Sequence, residues 1–264
     1  MSRIAETFAR LRAGGRRALI PFVMAGDPDA GATRDLIVGL ARAGADLIEV
    51  GVPFSDPVAD GPVIQRAGAR ALRGGVGVSQ VLEVVSGARA AAGVPVVLFS
   101  YFNPLLQFGI ERLGAEARAA GVDGVLVTDL PPESASGFAS VMARGGLDSI
   151  YLAAPTSTDE RLSLIARRAS GFIYAVSRAG VTGARTEVSA EAEQLVARLR
   201  QFSDLPVAVG FGISNAEQVA EVWRYADAAV VGSAIVAEIE RRAGAPDLVA
   251  RVGDFTRGLL PAAR

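Results

Sequence analysis

Eight short apolar runs, each followed by a stretch of helical period, place the tightest limit on the fold. The runs are ALIPFVMAGD, DLIEVGVP, VPVVLFSY, GVLVTDLP, SIYLAAP, GFIYAVS, PVAVGFG and AAVVGSA. Between them lie segments such as ATRDLIVGLARAG, apolar at i, i+3, i+4 spacing and ended by glycine. Strands that alternate with helices run parallel, because the helix supplies the crossover that returns the chain. Runs without strict polar alternation belong to strands buried on both faces. With no linker or low-complexity gap in 264 residues, the units predict one α/β domain over 1–264, a single (β/α)8 TIM barrel. Three segments exceed the repeat and predict extra helices. They are RIAETFARLRAGG at the N-terminus, GPVIQRAGARALRGG after strand two and GSAIVAEIERRAG after strand eight.

Composition then removes most catalytic chemistry. The chain has no Cys and no His, and all 27 of its basic side chains are Arg. A Ser-His-Asp or Cys-His nucleophile is impossible, and so is a Schiff base on lysine. Zinc held by His or Cys is excluded, and no carboxylate cluster calls for another metal. Proton transfer falls to Asp, Glu, Tyr or water. A net charge of −1 with scattered signs argues against a nucleic-acid partner. No apolar run reaches the roughly 18 residues of a membrane span. The N-terminal stretch lacks the apolar core of a signal peptide, which fits a cytoplasmic location.

A barrel of this kind places its chemistry at the C-terminal ends of the strands. In DLIEVGVP, alternation puts Ile48, Val50 and Val52 on one face and Leu47, Glu49 and Gly51 on the other, which points inward. Glu49 reads either as a structural carboxylate bonded to a neighbour or as an acid–base group whose pKa burial raises. Asp60 reads equally as an N-cap for a helix beginning near Pro62 and as a site residue. Asp56, in SDP, begins a turn. Asp129 falls at the top of strand four, with a structural or a site role open. Phe22, Phe99, Tyr101 and Tyr174 fall near strand ends, as core or as the wall of an aromatic slot. GFGIS and GSAIV close strands seven and eight, where glycines and a helix N-terminus bind phosphate in many barrels. SRAGVTGAR, residues 177–185, reads as a mobile lid with Thr182 and Arg185 near its tip.

LIEVGVPFSDPVADGPVIQRAGARAL, PFVMAGDP, YFNPLLQFG, DLPPE, SRAGVTGAR, GFGIS and VVGSAIV occur in the order found in tryptophan synthase alpha subunits, and the chain resembles that family over nearly its whole length. The resemblance implies retro-aldol cleavage of indole-3-glycerol phosphate to indole and glyceraldehyde 3-phosphate. It implies Glu49 as the acid–base residue and Asp60 as the partner of the indole N–H. Phe22, Phe99, Leu126, Leu152 and Tyr174 would form the indole slot, Thr182 would join the substrate contacts, and Tyr101 and Asp129 would help to order the site. Gly183, Gly212, Gly232 and Ser233 would receive the phosphate. No cofactor is implied in this subunit; pyridoxal phosphate belongs to a beta subunit in an α2β2 heterotetramer. Pro53, Asp56 and Pro57, with the 177–188 loop, would contact that partner. The alternative is a stand-alone lyase that releases free indole.

Overall fold

The computed structural model describes residues 1–176, 190–210 and 212–261. Eight parallel strands close into a barrel in chain order. They are β1 (Ala18–Met24), β2 (Ile48–Gly51), β3 (Val96–Ser100), β4 (Gly124–Val127), β5 (Asp148–Ala153), β6 (Ile173–Val176), β7 (Val207–Gly210) and β8 (Ala228–Val231). β8 pairs back onto β1, with Ala228 opposite Ala18 and Val231 opposite Pro21. The first helices are α1 (Arg3–Ala13), α2 (Ala30–Arg42), α3 (Pro62–Arg73), α4 (Val78–Ala92), α5 (Phe102–Phe108) and α6 (Ile110–Ala120). Then come α7 (Ser136–Arg144), α8 (Asp159–Arg168), α9 (Ala190–Leu199), α10 (Ala216–Val222), α11 (Ser233–Arg242) and α12 (Leu248–Gly258). No helix among the described residues is long and apolar enough to cross a membrane.

The buried side chains divide as strand parity requires. Ile48, Val50 and Val52 join the layer between strands and outer helices. Leu47, Val97, Leu126, Ile150, Tyr174 and Val230 form a separate cluster inside the barrel. Ile4, Phe8 and Leu11 of α1 belong to that inner cluster, so α1 plugs the N-terminal end of the barrel. The Phe8 and Phe172 rings meet there at 5.8 Å. At the same end, carboxylates preceding one strand accept N–H groups that open its neighbour. Asp46 accepts from Leu19 at 3.0 Å, Asp123 from Val96 at 2.9 Å and Asp227 from Val207 at 3.0 Å. Each bond satisfies a buried donor that would otherwise cost about 1–3 kcal/mol.

The extra helices appear where the sequence predicts them, as α1, as α3 before α4, and as α11 before α12. One more was not foreseen. YFNPLLQFG contains α5, a seven-residue helix between β3 and α6.

Candidate active site

A cavity of about 360 Å³ opens at the C-terminal ends of the strands. Its walls are inward side chains from six strands: Phe22, Glu49, Phe99, Leu152, Tyr174 and Val230. The strand register sets Phe22 beside Glu49, Phe99 beside Gly51 and Tyr174 beside Leu152. Phe22 and Phe99 meet edge to face, with centroids 5.5 Å apart and planes at 81°. Two of the rings lie against glycines. A Cβ on Gly51 would stand 2.5 Å from Cζ of Phe22, and one on Gly210 would strike the Tyr174 hydroxyl. The missing side chains leave the space these rings occupy. The result is an apolar slot with an acid beside it.

That acid is Glu49. It is 1% exposed, and among the described residues its Oε1 has no hydrogen-bond partner. Burial favours the neutral form and pushes its pKa up to about 8. The rim carries a second carboxylate, Asp60, in the loop between β2 and α3. Burial pushes Asp60 up to about 6, against the pull of a hydrogen bond from Tyr101. The Tyr101 hydroxyl also accepts the Ala59 N–H at 2.9 Å, and its ring packs on Phe54 with centroids 5.2 Å apart. Burial and the Asp60 charge together keep the Tyr101 phenol protonated far above its usual range. Two carboxyl groups in one cavity thus titrate in different ranges, the arrangement that separates an acid from a base near neutral pH.

Asp60 does not cap α3. Gly61 is the N-cap, with Pro62 following it and no side-chain cap bond. A proline at the first helical position makes the residue just before it the cap, so Asp60 stands one step outside and its carboxylate is left for the cavity.

A helix N-terminus borders another part of the cavity. α11 begins at Ser233 directly after β8, with Gly232 as N-cap, a residue with no side chain to cap the first turn. The first N–H groups of a helix have no acceptor within it, and its dipole favours negative charge there. Gly232, Ser233 and Ala234 line the cavity, and Gly212 and Ser214 of the β7–α10 loop face them. Gly212 holds φ +87°, a conformation that disfavours any side chain. α10 starts at Ala216 just after GFGIS, capped by Asn215, whose side chain accepts from the Gln218 N–H.

The comparisons with known proteins agree. The sequence model for the tryptophan synthase alpha chain matches residues 8–258. A tryptophan synthase alpha chain of Solibacter usitatus is 50% identical over 98% of this chain and 97% of its own. One of Geobacter sulfurreducens is 51% identical, covering 98% of each. The chain belongs to the tryptophan synthase alpha chain family. Solved structures similar to this alpha chain include tryptophan synthase of Mycobacterium tuberculosis, with a TM-score of 0.90 at 41% identity, covering 98% of this chain and 99% of that one. The tryptophan synthase α2β2 complex of Pyrococcus furiosus matches with a TM-score of 0.84 at 37% identity, covering 92% and 97%.

Some expected site residues of this alpha chain lie off the cavity surface. Leu126 is fully buried in the inner cluster and does not line the cavity. Two residues on, with the same parity, Thr128 lines the wall instead. The Asp129 carboxylate accepts the Phe102 N–H at 2.6 Å and so holds the start of α5. Tyr101 acts on the cavity through Asp60 and Ala59, and does not line it. Among the expected partner contacts, Pro53 is buried, whereas Asp56 is exposed and Pro57 half-buried. Thr182, Gly183 and the rest of the 177–188 loop lie outside the described residues. Wall residues absent from the sequence reading include Ile64, Thr128, Ser214 and Ala237.

Proposed function

We propose that this alpha chain cleaves indole-3-glycerol phosphate to indole and glyceraldehyde 3-phosphate. The observation that supports the reading is Glu49, a buried acid whose Oε1 has no partner among the described residues, beside an apolar slot that the N-terminus of α11 also borders. The phosphate lies against the first turn of α11 and Gly212. The indole ring enters between Phe22, Phe99, Leu152 and Tyr174. With a pKa of about 8, Glu49 still carries a proton at neutral pH and donates it to indole C3. The ring becomes an indolenine cation. Asp60, with a pKa of about 6, is charged at the same pH, accepts the ring N–H and stabilises the cation. The Glu49 carboxylate then takes the proton of the hydroxyl on the carbon bonded to C3. That hydroxyl becomes the aldehyde carbonyl, the carbon–carbon bond breaks, and its electrons return to the ring as indole. One proton leaves Glu49 and one returns, so the residue ends as it began. With no lysine in the chain, a route through a Schiff base is closed.

The indole passes to a beta subunit in an α2β2 assembly. That partner carries pyridoxal phosphate, whose usual lysine linkage this chain cannot provide. The exposed face offers apolar contacts for it. Val58 is 68% exposed on the β2–α3 loop and Leu106 is 50% exposed on α5, the two elements that Tyr101 ties together. The test is indole release from indole-3-glycerol phosphate by the purified chain, alone and with a beta subunit. Slow release that rises on adding the partner is expected. No release in either case overturns the reaction, and full rate without the partner favours a stand-alone lyase.

A further inference from the structure

Four charged side chains outside the cavity join two of the helices that border it. Arg66 and Arg70, four residues apart, share one face of α3. Glu240 lies three residues beyond the wall residue Ala237 on α11, which turns it to the same side of that helix. Arg66 grips Glu240 through two bonds, Nε to Oε1 at 2.9 Å and Nη2 to Oε2 at 2.7 Å. Arg70 reaches the same carboxylate through Nη1 at 2.6 Å. Its other edge forks onto Asp27, at 2.7 and 2.9 Å. Asp27 follows β1 and is 1% exposed. The set therefore ties the β1–α2 loop, α3 and α11 together.

Isolated surface ion pairs contribute little. Two planar forks on shared carboxylates fix geometry as well as charge. The α3 arginines hold the Glu240 carboxyl down at about 2, so the brace stays charged throughout the neutral range. Two arginines balance two carboxylates, and none of the four lines the cavity. The brace therefore adds no net charge to the anion site. What it fixes is a distance. α3 carries Val63 and Ile64 just after Asp60, and α11 carries the anion-binding turn at Gly232 and Ser233.

We infer that Glu240 is a positioning residue, which clamps α11 to α3 and thereby sets the spacing between the phosphate end and the indole end of the cavity. The inference rests on the proposed substrate, in which one short chain links the two ends. A ligand that spans a fixed distance gains from having both sites in register; separate fragments gain nothing from it. Loss of the clamp should then weaken the linked ligand and spare its halves.

The test uses the full chain carrying Glu49→Gln, expected to slow turnover by about 10²–10⁴-fold so that binding is read before cleavage. Calorimetry gives the affinities for indole-3-glycerol phosphate, for glycerol 3-phosphate alone and for indole alone, with and without Glu240→Ala. The linked ligand is expected to bind about tenfold more weakly in the Glu240→Ala chain, and each fragment within about twofold of its former affinity. Glu240→Asp keeps the charge but shortens the reach, and it should not restore the linked ligand. Should Glu240→Ala fail to fold, Arg66→Ala cuts the outer fork while leaving the buried Arg70–Asp27 pair intact, and a smaller loss in the same direction is expected. An unchanged linked affinity overturns the clamp. An equal loss for glycerol 3-phosphate alone, or full recovery with Glu240→Asp, replaces it with a direct charge effect. If the chain with Glu240 intact fails to bind indole-3-glycerol phosphate, the proposed substrate falls and the inference falls with it.

Discussion

Replacing Glu49 by Gln should stabilise the folded protein, and by an amount that depends on pH. The folded pKa is about 8 against an ordinary value of 4.5, raised by burial. An acid that binds its proton more tightly in the fold favours folding while it is protonated. As pH rises from 4.5, the unfolded chain releases the proton first, and the folded state must keep it or bury a charge. Stability attributable to Glu49 is thus intact below pH 4.5, falls as pH rises through about 8, and is constant above that. The interval from 4.5 to about 8 is roughly 3.5 pH units. At about 1.4 kcal/mol per unit, the cost reaches roughly 5 kcal/mol at alkaline pH and roughly 3 kcal/mol at pH 7. Gln has the shape of protonated Glu and does not titrate. Urea unfolding of both proteins from about pH 5 to about pH 9 should show the Gln variant gaining on the parent through this window. Asp60 titrates in both and cancels from the difference. Parallel curves across the range would refute the reasoning, because they would mean that Glu49 is as well solvated in the fold as in the unfolded chain.

Tyr101→Phe removes the hydroxyl that bonds Asp60 and holds the Asp60 pKa down. Asp60 should then titrate above its present value of about 6, and the acidic limb of the pH–rate profile should move to higher pH; an unmoved limb would detach Asp60 from that limb. Gly51→Ala places a methyl 2.5 Å from Cζ of Phe22. The ring must turn into the slot, so indole affinity should fall about tenfold or more while the fold survives, and Phe22→Leu in the same chain should recover part of it. Titration of indole against the three proteins decides this, and unchanged affinity in Gly51→Ala would show that the ring has another place to go.

Much of this was legible in the sequence because it depends on period. Alternation of eight apolar runs with helical segments predicts the barrel, and parity within DLIEVGVP places Glu49 inward. Parity does not give height, which depends on strand register and tilt. Leu126 therefore has the expected face but is not part of the wall, where Thr128 stands instead. Carrying the alternation one step further along β4 would have found it. α5 escaped notice because its seven residues are too few to show a helical period, and Pro104 breaks the pattern. The pairings of Tyr101 with Ala59 and Asp60, and of Arg66 and Arg70 with Glu240, join residues far apart in sequence. No local pattern announces such contacts. They exist only once the barrel brings loop tops together.

On the proposed mechanism Glu49 moves the protons at indole C3 and at the adjoining hydroxyl. Single-turnover cleavage of indole-3-glycerol phosphate, compared between the parent chain and Glu49→Gln at equal ligand saturation, measures it directly. A positioned acid–base group contributes about 10²–10⁴-fold, and a loss in that range with ligand binding retained is expected. A Glu49→Gln chain that binds the substrate and cleaves it at the parent rate would contradict the claim.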